Sequence, residues 1–455
     1  MINNFKLLQL KEEFIINLDS LEYKFMTKVQ EKSLPYSLEG KDVIVQAKTG
    51  SGKTVAFSIP VVNKLNVKKF AIQTLVLCPT RELANQVAIQ IKKLCRHIHN
   101  VKVLTLCGGV PFKPQVASLR HKAHIVVGTP GRVLKHISEN NIELENINTL
   151  VLDEADKMLD MGFYEDIMQI IESLPKKRQT MLFSATYEKN IEELSSNILN
   201  EPIFIQDEEV HTNDVINQKF YEVKQEEKSE LLPKLISLAK AKSVLIFCNL
   251  KVSCEKIADE IFELGYDCVI LNSDLDQKLR DETLVLFSNK SYPIMIATDV
   301  ASRGLDIDNI DLVINYDVAK DEKVHTHRIG RTARAGANGV AVTLYTKDEM
   351  DKVLEIKEKF PHIVFEKTIQ EEDSYKLETL YRTLYINGGK KHKLRAGDIV
   401  GTLIATANLA KDDIGNIDIF PFHSYVAIKK EFEKTALKKL NQNKIKGKFY
   451  KVYPR

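Results

Sequence analysis

The sequence predicts two α/β domains, each with a parallel sheet between helices, followed by a small α+β domain. Short, continuous apolar runs recur along most of the chain, each followed by polar residues and a helical pattern. Such runs are typical of strands buried on both faces. The chain of 455 residues is long enough for about three domains. The pattern lapses at residues 206–215 and 366–374, so we expect domains over residues 1–206, 216–366 and 377–455.

Ten apolar runs are predicted to be parallel strands. In the first domain they are residues 42–45, 74–77, 124–127, 150–152 and 180–183, and in the second they are residues 244–247, 268–271, 294–296, 312–314 and 340–342. Ligands of such sheets bind beyond the carboxyl ends of the strands. The residues directly after each run are therefore the candidate site residues.

Composition excludes membrane, secreted and fibrous classes. Apolar residues make up 44% of the chain, but no run approaches the roughly 18 apolar residues of a membrane helix. The N-terminal segment lacks the pattern of a signal peptide. The six cysteines are scattered without a CxxC pair, which predicts neither disulfides nor a zinc site. We expect a cytoplasmic protein.

The net charge of +3 is distributed unevenly along the chain. Residues 376–455 contain 17 Lys and Arg against seven Asp and Glu, a net charge of +10, while the other 375 residues contain 48 and 55, a net charge of −7. A basic domain attached to a mildly acidic body indicates a polyanionic partner for the C-terminal part.

A glycine-rich segment follows the first predicted strand. Its residues are Ala47, Lys48, Thr49, Gly50, Ser51, Gly52, Lys53 and Thr54. Glycines let backbone N–H groups surround phosphate oxygens, and the helix that follows adds its positive end. Lys53 would reach the β- and γ-phosphates, and the hydroxyl of Thr54 would ligate Mg²⁺. The segment predicts a phosphate-binding loop.

A carboxylate cluster follows another predicted strand, at residues 153–156. Mg²⁺ prefers oxygen ligands, so Asp153 can hold it directly or through water. Glu154, one residue further on, is placed to orient or deprotonate an attacking water. Together with the phosphate-binding loop, this cluster predicts hydrolysis of a nucleoside triphosphate, with Lys53, Asp153 and Glu154 as catalytic residues.

In one-letter code residues 153–156 read DEAD, which is also the name of a protein family. Residues 1–365 or so resemble a DEAD-box RNA helicase. The further matching segments are residues 79–83, 108–109, 129–132, 184–186, 277 with 280, 297–299, 303–306 and 327–334. The resemblance implies two RecA-like domains, ATP with Mg²⁺ as cofactors, and an RNA strand as the second ligand.

The resemblance also implies which residues contact RNA. They are Thr80, Arg81, Gly108, Gly109, Thr129, Arg132, Gln277, Arg280 and Thr298. Arginines suit bidentate phosphate contacts, and threonine hydroxyls can donate to backbone oxygens. Such contacts read no bases, so we expect binding by this core to tolerate any sequence.

Further roles follow from the resemblance around the nucleotide. Arg331 and Arg334, three residues apart and thus on one face of a helix, are implied to be arginine fingers that meet the γ-phosphate when the second domain closes on the first. A glutamine amide matches the adenine edge, and an aromatic ring can stack on its face. The remaining assignments are Gln30 and Phe5 at the adenine, Asp306 at the ribose, and Ser184, Thr186 and His327 as residues that couple hydrolysis to RNA.

The C-terminal part predicts a βαββαβ order, which fits an RNA-recognition-motif (RRM-like) fold. The predicted strands are residues 381–386, 416–420, 424–428 and 448–453, and the predicted helices are residues 396–407 and 431–440. Tyr425 is a lone aromatic on the third strand, so base stacking should be limited. The expected RNA contacts are Tyr425 and the basic residues Lys390, Lys391, Lys444, Lys446 and Lys448.

Residues 385–391, 395–399 and 444–448 resemble the tail of the bacterial DbpA branch of the family. That branch is directed to a hairpin of the large-subunit (23S) ribosomal RNA. The resemblance therefore implies a monomeric, RNA-dependent ATPase that separates short RNA duplexes during assembly of the large ribosomal subunit. The residues leave three alternatives open: a nucleotide-dependent RNA clamp, a DNA translocase, and a tail that binds acidic proteins.

Overall fold

The computed structural model describes residues 3–48, 50–207, 216–299, 310–332, 339–367 and 375–455. The chain divides into two compact units. The first contains the described residues up to 207, and the second contains the described residues from 216 onward. The C-terminal domain, expected to be separate, thus shares a compact unit with the second α/β domain.

The first unit is built on one parallel sheet. Its strands are β1 (Val43–Gln46), β2 (Thr74–Leu77), β3 (Val103–Leu106), β4 (Ile125–Gly128), β5 (Thr149–Leu152), β6 (Gln179–Ser184) and β7 (Ile203–Gln206). Its helices are α1 (Glu12–Ser20), α2 (Lys28–Leu38), α3 (Lys53–Lys64), α4 (Arg81–Leu94), α5 (Phe112–Arg120), α6 (Pro130–Ser138), α7 (Ala155–Asp160), α8 (Tyr164–Glu172) and α9 (Lys189–Ile198). The strands lie side by side in the order β3-β4-β2-β5-β6-β1-β7.

Two hydrophobic cores cover the two faces of this sheet, and β1 shows why. Val43 and Val45 belong to one core together with Phe57 of α3. Ile44, between them, belongs to the other core together with Leu194 of α9. Because successive side chains of a strand point to opposite faces, a strand covered on both faces is apolar at every position.

The second unit begins with another parallel sheet. Its strands are β8 (Ile216–Glu222), β9 (Val244–Cys248), β10 (Cys268–Leu271), β11 (Ile294–Thr298), β12 (Leu312–Asn315), β13 (Gly339–Tyr345) and β14 (Val364–Glu366), in the order β10-β11-β9-β12-β13-β8-β14. Its helices are α10 (Lys228–Leu238), α11 (Lys251–Glu263), α12 (Gln277–Ser288), α13 (Glu322–Ile329) and α14 (Met350–Lys359).

The C-terminal domain of the second unit has an antiparallel sheet. Its elements are β15 (Tyr381–Ile386), α15 (Ala396–Ala407), β16 (Ile414–Ile419), β17 (Ser424–Lys429), α16 (Glu433–Gln442) and β18 (Val452–Pro454), with the strand order β16-β17-β15-β18. Leu384 and Val426 face the core formed with the two helices. The opposite face of the sheet carries Thr383 and Tyr425, and the predicted βαββαβ order is confirmed.

All ten predicted parallel strands are present, and four others were missed. β3, β7 and β14 are edge strands, and β8 is next to an edge. Their burial is interrupted or alternates along the strand, so they lack the continuous apolar run on which the prediction depended. Among the residues described, no helix is both long and apolar enough to cross a membrane.

Candidate nucleotide and RNA site

The strand order of the first sheet brings the predicted site residues into two neighbouring groups. The segments that follow β5, β6 and β1, three adjacent strands, are residues 153–156, 184–186 and 47–54. The segments that follow β3, β4 and β2, also adjacent, are residues 108–109, 129–132 and 80–81. All carboxyl ends of a parallel sheet lie at one edge, so nucleotide and RNA candidates share that edge.

The phosphate-binding loop needs its glycines for backbone conformation. Gly50 and Gly52 have φ values of 85° and 90°, which L-residues with side chains rarely adopt. Lys53 is the first residue of α3, is buried, and donates a hydrogen bond from Nζ to the carbonyl of Ala47. Burial lowers the pKa of Lys53, and the charge of Asp153 acts in the opposite direction.

The other residues of the loop differ in their exposure. The hydroxyl of Ser51 donates to the carbonyl of Lys48 over 2.8 Å. Lys48 is exposed and Thr54 is half-buried in the first turn of α3. Thr49 lies outside the described residues. The role of Thr54 as a Mg²⁺ ligand stays a prediction.

Gln30 is turned toward the phosphate-binding loop. Its Oε1 accepts from the backbone N–H of Thr27 at 3.0 Å, and its Nε2 donates to the carbonyl of Gly52 at 3.1 Å. Thr27 in turn donates to the carbonyl of Ser51 at 2.8 Å. Gln30 therefore positions the loop. A carboxamide retains a second N–H and a second lone pair, so adenine recognition by Gln30 stays a proposal.

The expectation that Phe5 offers a free face to adenine is not met in this structure. Its ring is only 2% exposed and belongs to the hydrophobic core with Phe14 and Val29. The N-terminal segment folds against the body of the unit and covers the ring, which the sequence pattern could not show. In this structure, Phe5 is a residue of the hydrophobic core.

Asp153 and Glu154 form a buried acidic pair at the end of β5. Burial, and then the charge of Glu154, raise the pKa of Asp153 to about 7, against the opposing effects of Lys53 and Lys157. A cation beside Asp153 would relieve this repulsion, so Asp153 and Thr54 fit Mg²⁺ as hard oxygen donors. Among the described residues, no group of three or more His, Cys, Asp or Glu side chains is arranged so that it could hold a metal ion by itself. Mg²⁺ would therefore share its ligands with phosphate and water.

Sequence reasoning gave no role to Lys157, which holds Glu154. The two side chains are buried, and the Lys157 ammonium lies 2.7 Å from Oε1 of Glu154. Glu154 has a φ of 52°, the left-handed region that costs a residue with a side chain about 1–2 kcal/mol. The signal in the sequence was the spacing of three residues between Glu154 and Lys157, which allows an ion pair at the start of a helix.

Asp156 connects the acidic strand end to the segment after β6, a link that sequence reasoning also missed. Its Oδ2 accepts from the backbone N–H groups of Ala185 and Thr186 at 3.1 and 3.2 Å. Ser184, at the end of β6, is buried and accepts at its carbonyl from the N–H of Ala47 at 2.9 Å. The two expected coupling residues, Ser184 and Thr186, thus contact both nucleotide segments.

The expected RNA residues of the first unit lie next to one another. Arg81 donates to the carbonyl of Gly109 at 3.5 Å, and Arg132 donates to the carbonyl of Val110 at 3.0 Å. Gly109 has a φ of 70°. A Cβ on Gly108 would touch nothing within 4 Å, so the missing side chain leaves open space at this edge.

The two threonines of this group start helices. Thr80 is the N-cap of α4 and accepts from the N–H of Leu83 at 3.3 Å, and Thr129 is the N-cap of α6. Both threonines therefore stand at a helix start, where phosphate oxygens bind favourably.

The expected RNA residues of the second unit lie at two strand ends. Gln277 and Arg280 are in the first turn of α12, where Gln277 donates to Asp281 at 2.7 Å. Thr298 is the buried last residue of β11. β10, after which α12 begins, lies beside β11 in the sheet, so these residues share one edge.

The expectation that Arg331 and Arg334 lie on one helix face is wrong for Arg331. Helix α13 ends at Ile329, and Arg331 follows it in a turn with only 6% of its surface exposed. Arg334 and Asp306 lie outside the described residues. His327 is half-buried in the last turn of α13.

Arg328, which sequence reasoning assigned no role, joins several segments of this unit. It is 1% exposed and forms a bidentate ion pair with Asp299, at 2.6 Å and 2.8 Å. It also donates to Asn249 at 2.7 Å and to the carbonyl of Asp317 at 2.7 Å. These partners follow β11, β9 and β12, so Arg328 fixes α13 relative to three strand ends.

In the C-terminal domain, the two predicted basic segments are in contact. Lys446 donates to the carbonyl of Lys393 at 2.7 Å and pairs with Asp398 at 3.2 Å. The exposed basic residues of this surface are Lys390, Lys391, Lys444 and Lys448. The structure thus combines the two segments into one basic surface, although Lys446 is held by Asp398.

The expectation that Tyr425 contacts RNA is not supported by this structure. Tyr425 is fully buried, and its hydroxyl donates to Glu282 of helix α12. The sheet face on which RRM-like domains stack bases is here packed against the second α/β domain. Around Tyr425 the structure also places Tyr385, Phe420 and His423 in ring contact, an aromatic group scattered in the sequence.

A phosphate-binding loop, an acidic strand end and the expected RNA residues lie at one sheet edge, and further expected RNA residues lie at an edge of the second sheet. This arrangement is typical of a helicase-type nucleoside triphosphatase. The comparisons with known families agree. The chain matches the DEAD/DEAH box helicase family over residues 27–194, the helicase conserved C-terminal domain over residues 227–336 and the DbpA RNA binding domain over residues 383–454.

Curated relatives cover the whole chain. It is 45% identical to the ATP-dependent RNA helicase DbpA of Escherichia coli, over 96% of each chain, and 38% identical to DbpA of Bacillus subtilis, over 99% of each. The structure of S. cerevisiae Dbp5 bound to RNA and ADP BeF3 has a TM-score of 0.72 and 28% identity, and the match covers 81% of this chain and 96% of that one. The chain belongs to the DEAD-box family of ATP-dependent RNA helicases, in its DbpA branch.

Proposed function

We propose that this protein locally separates short RNA duplexes in 23S rRNA during assembly of the large ribosomal subunit, driven by ATP with Mg²⁺. The observation that carries the rRNA assignment is the basic surface of the C-terminal domain, in which Lys390, Lys391 and Lys444 are exposed and the two basic segments are in contact. The DbpA names of the relatives and the DbpA RNA binding domain support the same assignment.

In the nucleotide site, each described residue has a distinct task. Lys53 neutralises phosphate charge, and Thr54 and Asp153 hold Mg²⁺, which supplies further charge neutralisation when bound. Glu154, oriented by Lys157, positions the attacking water and takes up its proton. Burial of these groups strengthens their electrostatic interactions with the transferring phosphoryl group.

We further propose that ATP and a single RNA strand together favour closure of the two α/β domains. Arg331 and Arg334 then complete the site by stabilising charge on the γ-phosphate. A strand bound through its backbone by Arg81, Arg132 and Arg280 is bent away from duplex geometry, and its partner strand is released. Hydrolysis and product release reopen the domains.

The C-terminal domain raises the local concentration of substrate. Once its basic surface binds a structured rRNA hairpin, a nearby duplex meets the ATPase domains as an intramolecular partner. Specificity comes from this docking, since backbone contacts by the core carry no base information. The cytoplasmic location and monomeric state expected from the sequence are part of the same proposal.

The test compares ATP hydrolysis stimulated by full-length 23S rRNA with that stimulated by the same RNA lacking the candidate hairpin. The expected result is much weaker stimulation without the hairpin. The Lys390→Gln/Lys391→Gln/Lys444→Gln variant should remove this difference. A control with the same charge change, Lys411→Gln/Lys434→Gln/Lys438→Gln at three other exposed lysines of the domain, should keep it.

Equal stimulation by both RNAs would contradict the rRNA assignment while leaving the family's chemistry intact. A second measurement distinguishes strand separation from clamping. It follows the release of a labelled strand from a short duplex attached to the hairpin. ATP-dependent release supports the proposal, and ATP-dependent retention without release supports the clamp.

A further inference from the structure

Phe112 is an aromatic residue at the edge of the first unit where the expected RNA contacts lie. Its side chain is not explained by packing in a hydrophobic core of the described part of that unit. It is the first residue of α5, three positions after Gly109. Within the described part of the unit, its ring belongs to neither hydrophobic core, and it is half-buried. A half-buried aromatic ring beside the expected RNA residues could contact a ligand with an aromatic or ribose surface.

The ring contacts of Phe112 come from polar side chains of one helix. The imidazole of His136 stacks on it, with centroids 4.2 Å apart and planes 13° from parallel. The guanidinium of Arg132 and the ammonium of Lys135 lie 5.5 and 5.1 Å from the ring centroid. These three residues have i, i+3 and i+4 spacing on α6 and so share a face of that helix. This face of α6 supplies all three contacts to the Phe112 ring.

A buried glutamine fixes this arrangement. Oε1 of Gln115 accepts from Arg132 at 3.2 Å and lies 2.9 Å from Nε2 of His136, while its Nε2 donates to the carbonyl of Cys107 at 3.0 Å. His136 is fully buried, and burial lowers its pKa to about 4, so it is neutral at pH 7. The ring and the cations are thus held without requiring any ligand.

We propose that Phe112, Arg132 and Lys135 form a stacking platform for one nucleobase of single-stranded RNA, in addition to the backbone contacts of the core. Aromatic rings beside arginine or lysine bind bases of any identity, because every base has a π face. The platform lies where Arg132 also donates to Val110, beside Gly109. It therefore suits a base whose own phosphate is held by Arg132. This inference rests on the proposed RNA function of the same edge.

The test measures binding of a single-stranded RNA ten-mer to the full-length protein in the presence of a non-hydrolysable ATP analogue. Phe112→Leu, which keeps an apolar side chain, should weaken binding about tenfold, within the range for loss of one stacked base. Phe112→Trp should restore it. The slope of affinity against salt should not change, because no phosphate contact is lost. Phe70→Leu is the matched control: Phe70 is an exposed phenylalanine beside His124, and its loss should leave affinity unchanged.

A second readout locates the base. In ten-mers with 2-aminopurine at successive positions, one position should be quenched on binding by the unmodified protein and brighter with Phe112→Leu. Unchanged affinity of Phe112→Leu, or equal weakening by Leu and Trp, would overturn the platform. If the unmodified protein shows no RNA-stimulated ATP hydrolysis, the proposed function itself fails. If that stimulation is present and only the Leu effect is missing, the platform alone is wrong.

Discussion

The hydroxyl of Tyr425 donates a 2.9 Å hydrogen bond to the carboxylate of Glu282 and so joins the C-terminal sheet to helix α12. The other carboxylate oxygen of Glu282 lies 2.9 Å from the guanidinium of Arg455. Close by, the hydroxyls of Thr383 and Ser291 are 2.7 Å apart. The sheet face that RRM-like domains use for RNA is therefore a docking surface here. It is docked on the helix whose first turn carries expected RNA contacts.

Tyr425→Phe is expected to destabilise this docking. The variant leaves a half-buried carboxylate oxygen of Glu282 without its donor, and hydrogen bonds to charged groups contribute about 1.5–3 kcal/mol. The free energy of unfolding of the second unit, measured in urea, should fall by about that amount. Tyr453→Phe is the control, since Tyr453 is 44% exposed on the same sheet. Equal stability of Tyr425→Phe and the unmodified protein would show that the interface does not depend on this bond.

Glu154→Gln is expected to slow ATP hydrolysis at least about tenfold, because a carboxamide cannot take up a proton from water. The amide oxygen can still accept from Lys157, so the site should keep its shape. Affinities for ATP and RNA, measured by titration, should therefore change little. Undiminished turnover would remove Glu154 from the catalytic residues.

Lys157→Met is expected to destabilise the first unit by about 3–5 kcal/mol, the cost of leaving a buried charge without its partner. The double variant Glu154→Gln/Lys157→Met should recover most of the loss, because it removes both charges. The measurement is a double-mutant cycle of unfolding free energies. Additive effects of the two substitutions would contradict the pairing of these side chains.

Asp156→Asn is expected to separate nucleotide binding from stimulation by RNA. Asp156 accepts from two backbone N–H groups, at Ala185 and Thr186, and a neutral amide oxygen binds them more weakly than a carboxylate. RNA and ATP should each still bind, while the ratio of ATPase rates with and without RNA should fall. Asp160→Asn, on the exposed end of the same helix, should keep the ratio unchanged.

The sequence predicted the central strands well because burial on both faces leaves a continuous apolar run. It missed edge strands such as β3 and β14, whose exposed side allows polar residues. It also predicted roles for Lys53 and Asp153, which the structure places at the carboxyl ends of two strands of one sheet, because a phosphate site constrains neighbouring residues at fixed spacing.

The remaining site features depend on contacts between distant segments, which spacing does not encode. Tyr425 was assigned to RNA because a strand pattern shows which residues share a face but not what covers that face. The links made by Asp156 and Arg328 likewise arise only when separate strand ends meet in the folded sheet. The burial of Phe5 depends on the packing of the N-terminal segment against helices α1 and α2.

The stability of the second unit is expected to fall at acidic pH because of His325. It is fully buried, its Nε2 lies 2.9 Å from Oε1 of Gln218, and burial followed by the charge of Arg328 lowers its pKa from 6.5 to about 3. Between these two values the unfolded chain binds a proton that the folded chain does not, so stability falls as pH decreases below about 6.5. At pH 5 the loss from this residue is about 2 kcal/mol relative to pH 7.

His325→Gln, which can still bond to Gln218, should reduce the pH dependence of unfolding by that amount between pH 7 and 5. His121→Gln, at an exposed histidine, should not. Parallel pH profiles for the unmodified protein and His325→Gln would show that the folded and unfolded chains bind a proton at His325 equally well, which would contradict the lowered pKa.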